Sequence, residues 1–236
     1  MRSFFSIHRA VPRQPHPVRA MRSRLLLGVA LSLGCVSAAP AATVLVLGDS
    51  LSAAYSLSAS QGWVSLLQQR LDRDPAFAPG RPHRVINASA SGETSSGGLA
   101  RLPRLLAVHR PDVLVVELGG NDGLRGQPPQ QLAQNLGRMV QLGQASGARV
   151  VLVGMRIPPN YGRAYTQAFA AVYPQVAQQY RVTLVPFLLD RVAGQAALMQ
   201  ADGIHPNATA QPRLLDNMLP ALKAAMAGVK PGKKAS

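Results

Sequence analysis

Residues 43–52 read TVLVLGDSLS, a short apolar run rich in β-branched residues that is followed directly by Gly48, Asp49 and Ser50. Four further runs of the same kind recur along the chain, and none of them shows strict alternation of apolar and polar residues. This pattern predicts strands that are buried on both faces. The five predicted strands are Thr43–Leu47, Arg84–Asn87, Asp112–Leu118, Arg149–Gly154 and Val182–Pro186.

Helical patterns lie between the predicted strands. Apolar residues recur at helical spacing in four segments, which start at Trp63, Leu132, Tyr165 and Leu214. We expect Pro174 to kink or split the third of these helices and Pro220 to disturb the last. Strands that alternate with helices predict an α/β fold, in which helices cover both faces of a parallel sheet.

Composition excludes several classes of protein. Of the 236 residues, 47% are apolar and 15% are charged, which is typical of neither a disordered chain nor a coiled coil. The single cysteine, Cys35, excludes an intramolecular disulfide and a CxxC zinc site. The formal net charge of +15 first suggests a nucleic-acid or anionic-membrane partner.

Much of this charge lies in an N-terminal export signal. Residues 1–41 contain six arginines and no acidic residue. Arg22 and Arg24 precede an apolar run too short to span a bilayer comfortably, and Ala39-Pro40-Ala41 follows in A-x-A register. We therefore predict that Met21 is the true start, that 1–41 are an extension plus signal peptide, and that the protein is exported to the periplasm.

Other readings of the leader remain open. Secretion from the cell and a membrane anchor are the alternatives to a periplasmic location. Lipid attachment at Cys35 is disfavoured, because Ser32 stands where a lipobox requires Leu. The leader ends before the predicted domain, which covers residues 42–228.

The charge that remains outside the leader is modest. A tail at 229–236, which we expect to be disordered, carries Lys230, Lys233 and Lys234. Removal of leader and tail leaves the domain with a net charge of about +6. Arginines and aromatic residues are not interleaved in it, so we expect no nucleic-acid partner.

Motifs for cofactors and metals are missing from the sequence. No GxGxxG follows the first predicted strand, which disfavours a dinucleotide site. Gly92–Gly97 imitates a phosphate loop, but Gly98-Leu99 replaces the Lys-Ser/Thr pair that should follow. The sequence has no HExxH. We therefore expect no cofactor and no metal.

Polar clusters follow the first three predicted strands, where function is expected in an open α/β sheet. Ser50 is a candidate nucleophile that ends a strand and is predicted to open a helix; the alternative is a simple turn with Ser50 as N-cap. Asn121 has the chemistry of an oxyanion donor, or of an Asx-turn residue. Gly92 can offer an unobstructed backbone N–H, or be a loop glycine.

The candidate general base is a histidine. His205 follows Asp202 by three residues in DGIHPN, so the carboxylate can meet the ring Nδ1; the alternative is a turn after which Pro206 starts a helix. His83 stands at the entry to a strand with no acid nearby in sequence, and His109 is better explained as the end of a helix.

Together these elements resemble one family. GDSL at 48–51, Gly92, GGND at 119–122 and Asp202-x-x-His205 occur in the order of the four blocks of the SGNH (GDSL) hydrolases. GGNDGLRG at 119–126 and MRIPPNYG at 155–162 are similar to the multifunctional periplasmic acyl-CoA thioesterase, lysophospholipase and arylesterase subgroup. The resemblance covers roughly Thr43 to Ala225.

The resemblance implies a flavodoxin-like three-layer α/β/α sandwich with a five-stranded parallel sheet. It implies Ser50 as nucleophile, His205 as general base and Asp202 as the group that orients His205. The oxyanion hole would comprise the backbone N–H groups of Ser50 and Gly92 and the side-chain amide of Asn121. The implied substrate-binding residues are Gly123, Leu124, Arg125, Gly126, Pro158, Pro159, Asn160 and Tyr161, the first four in a mobile loop.

The family activity implied is hydrolysis of acyl esters and thioesters through an acyl-enzyme on Ser50. The alternative is a carbohydrate or short-chain acetylesterase with the same catalytic machinery. We expect a small-molecule substrate, a monomer and at most transient contact with a membrane surface. The sequence departs from the subgroup at Ala54, where Gly is common, and at Asp74–His83, which is expanded by several residues.

Overall fold

The computed structural model describes residues 42–73, 83–227 and 229. The predicted leader at 1–41, most of the expanded segment and the tail beyond 229 lie outside these residues. The strands are β1 (Thr43–Gly48), β2 (Arg84–Asn87), β3 (Val113–Glu117), β4 (Arg149–Val153) and β5 (Thr183–Val185). The helices are α1 (Trp63–Arg73), α2 (Ser95–His109), α3 (Gly120–Leu124), α4 (Pro129–Ala145), α5 (Arg163–Tyr180) and α6 (Gln211–Ala227).

The five strands form one parallel sheet in the order β2-β1-β3-β4-β5. Every residue of β1 and β3 is buried, which explains why these runs lack alternation. The edge strands β2 and β5 are less buried. The predicted flavodoxin-like sheet is therefore confirmed.

Helices cover both faces of the sheet. On one face α1 packs against α6, and on the other α4 packs between α2 and α5. Each helix buries one apolar stripe against the strands, and Trp63 and Phe169 are among the largest side chains that become inaccessible to solvent. This arrangement is the three-layer α/β/α sandwich that the sequence predicts. None of the helices in the described part of the chain has the length and apolar character needed to cross a membrane.

The prolines do not split the helices. The expectation that Pro174 could divide α5 is wrong, because the helix runs through it from Arg163 to Tyr180. Helix α6 likewise continues through Pro220. Both proline rings are solvent-exposed. Water can therefore satisfy the carbonyl that loses its intrahelical donor, and burial of the opposite stripe outweighs the lost hydrogen bond.

The strand order places the candidate residues together. After β1 the chain crosses to β2 on one side, and it returns to β3 on the other side of β1. The carboxyl ends of β1 and β3 therefore border the crevice at which the strand order reverses, the usual binding point of a doubly wound sheet. Ser50 follows β1, Gly92 follows β2 and Asn121 follows β3.

Candidate active site

Three side chains from two distant parts of the chain form a hydrogen-bonded row. His205 Nε2 lies 2.9 Å from Ser50 Oγ, and His205 Nδ1 lies 2.6 Å from Asp202 Oδ2. This is the order of contacts in a nucleophile–base–carboxylate triad. The histidine can accept the serine proton at Nε2 while the carboxylate fixes the tautomer with the proton on Nδ1.

A tight turn holds Asp202 against His205. The second carboxylate oxygen, Oδ1, accepts the backbone N–H groups of Ile204 and His205, each at 2.9 Å. The bond from the His205 backbone N–H is the largest cause that lowers the pKa of Asp202 to about 2, and the contact with the His205 side chain lowers it further. Asp202 is therefore an ionised acceptor at neutral pH, although its side chain is 39% exposed.

Ser50 does not open a helix, and that prediction is wrong. It starts a run of turns over residues 50–56, and the next long helix begins at Trp63. Ala54 (φ +57°) and Ser56 (φ +56°) adopt the left-handed region, which ends helical winding. The left-handed φ of Ala54 is a conformation that glycine adopts more readily than alanine, which fits the expectation of Gly at this position.

Two backbone N–H groups are free near the nucleophile. In the described part of the chain, neither the Ser50 nor the Gly92 backbone N–H donates a hydrogen bond to another group. Gly92 has φ +77°, and a Cβ there would meet no atom within 4 Å. Glycine is therefore needed for its backbone conformation rather than for space. Free N–H groups of this kind are the donors that an oxyanion hole requires.

The Asn121 side chain ties the predicted oxyanion loop to the sheet. Its Nδ2 donates to the Glu93 carbonyl oxygen at 2.9 Å and lies 3.3 Å from Asp49 Oδ2. The first bond fastens the residue next to Gly92. The second is long, so the N–H that points to Asp49 can be redirected to a developing oxyanion at small cost.

Two buried carboxyl groups lie beneath the nucleophile. Asp49 is 2% exposed and accepts the Leu51 backbone N–H at 3.0 Å, whereas Glu117 is fully buried. Glu117 Oε2 accepts the Asp49 backbone N–H at 3.2 Å and the Ser52 hydroxyl. Gly48 pairs with Glu117 across the sheet, and a Cβ there would come within 2.5 Å of Oε2. Gly48 therefore makes room for the Glu117 carboxyl group.

Burial changes the charge of this pair. Desolvation raises the pKa of Asp49 to about 6 and raises the pKa of Glu117 well above its usual range, to which the charge of Asp49 adds. Glu117 Oε1 has no partner within the described residues. A protonated, neutral Glu117 is the form that such a site favours.

A second buried network joins the loops that carry Gly92 and Asn121. Asp122 is 4% exposed and accepts the Ser95 backbone N–H at 2.8 Å, and its other oxygen accepts the Ser95 hydroxyl. Asn135 of α4 in turn donates to Ser95 Oγ at 2.8 Å. These bonds fix the first residue of α2 to α3 and α4, directly behind the predicted oxyanion donors.

A cavity of about 630 Å³ opens beside Ser50 and His205. Its volume lies in the range of small-molecule sites. Apolar side chains that follow the ends of β4 and β5 form much of its wall, and two guanidinium groups join them. These residues are Met155, Ile157, Phe187, Leu189, Arg156 and Arg191.

The predicted substrate-binding residues divide into two groups. Leu124, Pro158 and Pro159 line the cavity. Gly123, Arg125, Gly126, Asn160 and Tyr161 do not belong to its lining. Two tyrosines contact the end of α3 and the loop that follows it: the Tyr161 hydroxyl donates to the Leu124 carbonyl oxygen at 2.8 Å, and the Tyr165 hydroxyl donates to that of Gln127 at 2.6 Å.

Sequence reasoning missed several residues of the site. Glu117 could have been found from the sequence, since it is the one acidic residue inside an apolar strand. Phe187 and Leu189 follow the end of β5, which is where ligands bind in such sheets, but their apolar side chains alone did not mark them. Tyr55 carries no signal in the sequence, because its contact with His205 spans 150 residues.

The other histidines of the predicted domain lie away from the triad in the fold. His83 is buried at the entry to β2, and His109 is the last residue of α2. Both positions are at the amino ends of strands rather than at the edge that carries Ser50. Among the described residues, no three His, Cys, Asp or Glu side chains are grouped as metal ligands.

Known proteins with this arrangement identify the family. Residues 46–211 match the GDSL-like Lipase/Acylhydrolase family. This chain belongs to that family. It is a hydrolase of the SGNH type, and its chemistry is ester hydrolysis.

Individual members of the family are similar over most of their length. Esterase TesA from Pseudomonas aeruginosa is 55% identical over 86% of this chain and 98% of its own. Thioesterase 1/protease 1/lysophospholipase L1 from Escherichia coli is 49% identical over 77% of this chain and 83% of its own. A crystal structure of the psychrotrophic esterase EstA from Pseudoalteromonas sp., inhibited by monoethylphosphonate, has 42% identity and a TM-score of 0.73, covering 79% of this chain and 99% of that one.

Proposed function

We propose that the protein hydrolyses carboxylic ester and thioester bonds of acyl substrates through an acyl-enzyme on Ser50. The observation that carries this proposal is the row Asp202–His205–Ser50, with contacts of 2.6 and 2.9 Å, at the edge of a cavity beside two free backbone N–H groups. Nucleophile, base, orienting carboxylate and oxyanion donors are thereby supplied by one crevice.

The reaction proceeds in two halves. Ser50 Oγ attacks the acyl carbonyl carbon while His205 Nε2 takes its proton, and the imidazolium is stabilised by Asp202. The Ser50 and Gly92 N–H groups, with the Asn121 amide, bind the oxyanion of the tetrahedral intermediate. His205 then gives the proton to the leaving alcohol or thiol. Water attacks the acyl-enzyme in the second half and regenerates Ser50.

The cavity supports a substrate with an acyl chain of medium length or longer. Its volume of about 630 Å³ and its wall of Met155, Ile157 and Phe187 suit a hydrocarbon chain, which gains free energy by leaving water. Arg156 stacks on Phe187, with the guanidinium carbon 4.8 Å from the ring centroid, and makes no ion pair with a described carboxylate. A free cation at the cavity supports substrates with an anionic group, such as acyl-CoA or lysophospholipid.

The alternative is a short-chain or carbohydrate acetylesterase. It would use the same triad but would leave most of the cavity empty. A series of p-nitrophenyl esters from acetate to palmitate, with octanoyl-CoA as thioester, separates the two. We expect kcat/KM to rise with chain length beyond butyrate, and the highest value on acetate would favour the alternative.

Fluorophosphonate labelling with peptide mapping tests the nucleophile. We expect modification of Ser50 alone and loss of essentially all turnover in Ser50→Ala, since removal of a triad nucleophile costs about 10⁶ in kcat. Ser96→Ala, a change of an exposed serine on α2, is the matched control and should retain full activity. Modification at another residue, or turnover by Ser50→Ala, would refute the assignment.

We also propose the domain arrangement and location read from the sequence. Residues 1–41 form the leader, 42–228 the hydrolase domain and 229–236 a basic tail, and the mature protein is a periplasmic monomer that contacts membranes only transiently. The signal-peptide pattern at 21–42 supports export. Mass spectrometry of the mature protein should give an N-terminus near Ala42, and light scattering should give the mass of one chain.

A further inference from the structure

Tyr55 lies over the imidazole of the candidate base. The two ring centroids are 4.4 Å apart, with 34° between the ring planes. Tyr55 is nevertheless 44% exposed, so burial of its own apolar surface does not account for its position. It is also absent from the lining of the cavity beside Ser50, and so it is not placed to contact an acyl chain.

The backbone around Tyr55 is held in an unfavourable conformation. Ala54 and Ser56, its two neighbours, have φ values of +57° and +56°. Side chains other than glycine rarely adopt this region, and two such residues on either side of one position must be stabilised by surrounding contacts. The conformation they impose aims the Tyr55 ring at His205.

Those contacts come from the catalytic residues and their loop. The Tyr55 backbone N–H donates to the carbonyl oxygen of Ser50 at 3.2 Å. Its own carbonyl oxygen accepts Gln200 Nε2 at 3.0 Å. The Gln200 backbone N–H in turn donates to the His205 carbonyl oxygen at 2.7 Å. Tyr55 is therefore fixed to the nucleophile on one side and to the histidine loop on the other.

The hydrogen bonds of the His205 imidazole hold its ring nitrogens but leave the two faces of the ring uncovered. Asp202 and Ser50 engage the two ring nitrogens, but the histidine side chain is only partly buried, at 18% exposure. Tyr55 covers one face, and the cleft that it lines with Ser50 and His205 has no room for a water molecule. Asp202, Asp49 and the Tyr55 hydroxyl are the titratable groups around the imidazole.

We propose that Tyr55 is a positioning residue for catalysis: its aromatic face holds the His205 imidazole toward Ser50 and stabilises the imidazolium that forms when Ser50 attacks. An aromatic face attracts a cation above it, and the attraction is present only after proton transfer. The contact therefore favours the transition state over the resting enzyme and should act on kcat. This inference rests on the proposed roles of Ser50 and His205.

The test compares three substitutions at one position with p-nitrophenyl octanoate as substrate. Tyr55→Phe keeps the aromatic face, Tyr55→Leu keeps apolar bulk without it, and Tyr55→Ala removes both. We expect Tyr55→Phe to retain kcat within about twofold, and the other two to lose about five- to tenfold in kcat with KM unchanged. Melting temperatures show that each variant is folded, which the exposure of Tyr55 favours.

A spectroscopic measurement reports the histidine directly. The proton between Asp202 and His205 Nδ1 should give a low-field ¹H NMR signal that is sharp in the wild type and Tyr55→Phe. The signal should be broadened in Tyr55→Ala, because the His205 imidazole is then free to turn and water reaches the face that Tyr55 covered. The inference would be overturned if Tyr55→Ala kept the wild-type kcat and the wild-type NMR signal. It would also be overturned if Tyr55→Leu retained as much kcat as Tyr55→Phe. The proposed function is tested separately, because loss of activity in Ser50→Ala would support it whatever the result at Tyr55.

Discussion

Two aspartates of the active site differ in their surroundings, and their pKa values move in opposite directions. Asp49 is almost completely buried next to Glu117, and desolvation raises its pKa to about 6. The Asp202 side chain is 39% exposed, and hydrogen bonds from His205 lower its pKa to about 2. Desolvation dominates at Asp49 and hydrogen-bond donors dominate at Asp202, so the surroundings rather than the residue type decide the direction in which each pKa moves.

The same difference extends to the two halves of the site. Ser50, the nucleophile, follows a buried strand and lies next to the buried carboxyl groups of Asp49 and Glu117. The histidine half is an exposed turn, held by local bonds and by Tyr55. Substitutions in the exposed turn should therefore change catalysis, and those among the buried groups should also change stability.

The largest effect is expected on the exposed side. Asp202→Asn should lower kcat by about 10⁴, because an amide NH₂ that faces Nδ1 favours the wrong tautomer of His205. The melting temperature should change little. Steady-state kinetics on p-nitrophenyl octanoate measures the loss. Asp72→Asn, a change of an exposed carboxylate on α1, is the control and should leave kcat unaltered. A loss below tenfold in Asp202→Asn would remove Asp202 from the triad.

The next effect tests the border between the two halves. Asn121→Ala should lower kcat by about 10²–10³ if the amide is an oxyanion donor. It should also lower the melting temperature by about 2–4 °C, since the bond to the Glu93 carbonyl oxygen is lost. Kinetics and thermal unfolding on the same preparation separate the loss of catalysis from the loss of stability. A near-wild-type kcat with a lowered melting temperature would leave Asn121 with a structural role alone.

The smallest effect is expected from the buried carboxyl pair. Folding raises the pKa of both groups above their values of 3.8 and 4.5 in the unfolded chain. The folded state therefore binds more protons than the unfolded state between about pH 4 and 6, where Asp49 titrates, and the raised pKa of Glu117 acts in the same direction. The contribution of the pair to stability is thus fully present at low pH and is lost as the pH rises through this window.

Glu117→Gln removes one of these titrations while it keeps the shape of a neutral acid. Urea unfolding at pH 5 and pH 8 should show that the wild type loses more of its free energy of unfolding between the two pH values than this variant does. Asp72→Asn should behave like the wild type. Equal losses in wild type and Glu117→Gln would mean that Glu117 titrates at its ordinary pKa.

Much of this architecture could be read from local patterns. The apolar runs predicted all five strands within a residue or two of their bounds, because burial on both faces leaves an uninterrupted signal. The Asp202–His205 contact was predictable since it lies within one turn. The helix expected at Ser50 was wrong, and nothing in the sequence marks the left-handed Ala54 and Ser56 that prevent it.

The sequence by itself determined the sheet, the edge at which polar residues gather and the residue types of the triad. Only the tertiary structure decided that Glu117 loses its solvent, that Tyr55 covers His205, and that side chains beyond β4 and β5 enclose the cavity. The physical reason is that strand and turn propensities depend on neighbours along the chain. Desolvation, ring contacts and cavity walls depend on residues that can be 155 positions apart, as Ser50 and His205 are, and that meet only after the sheet has formed.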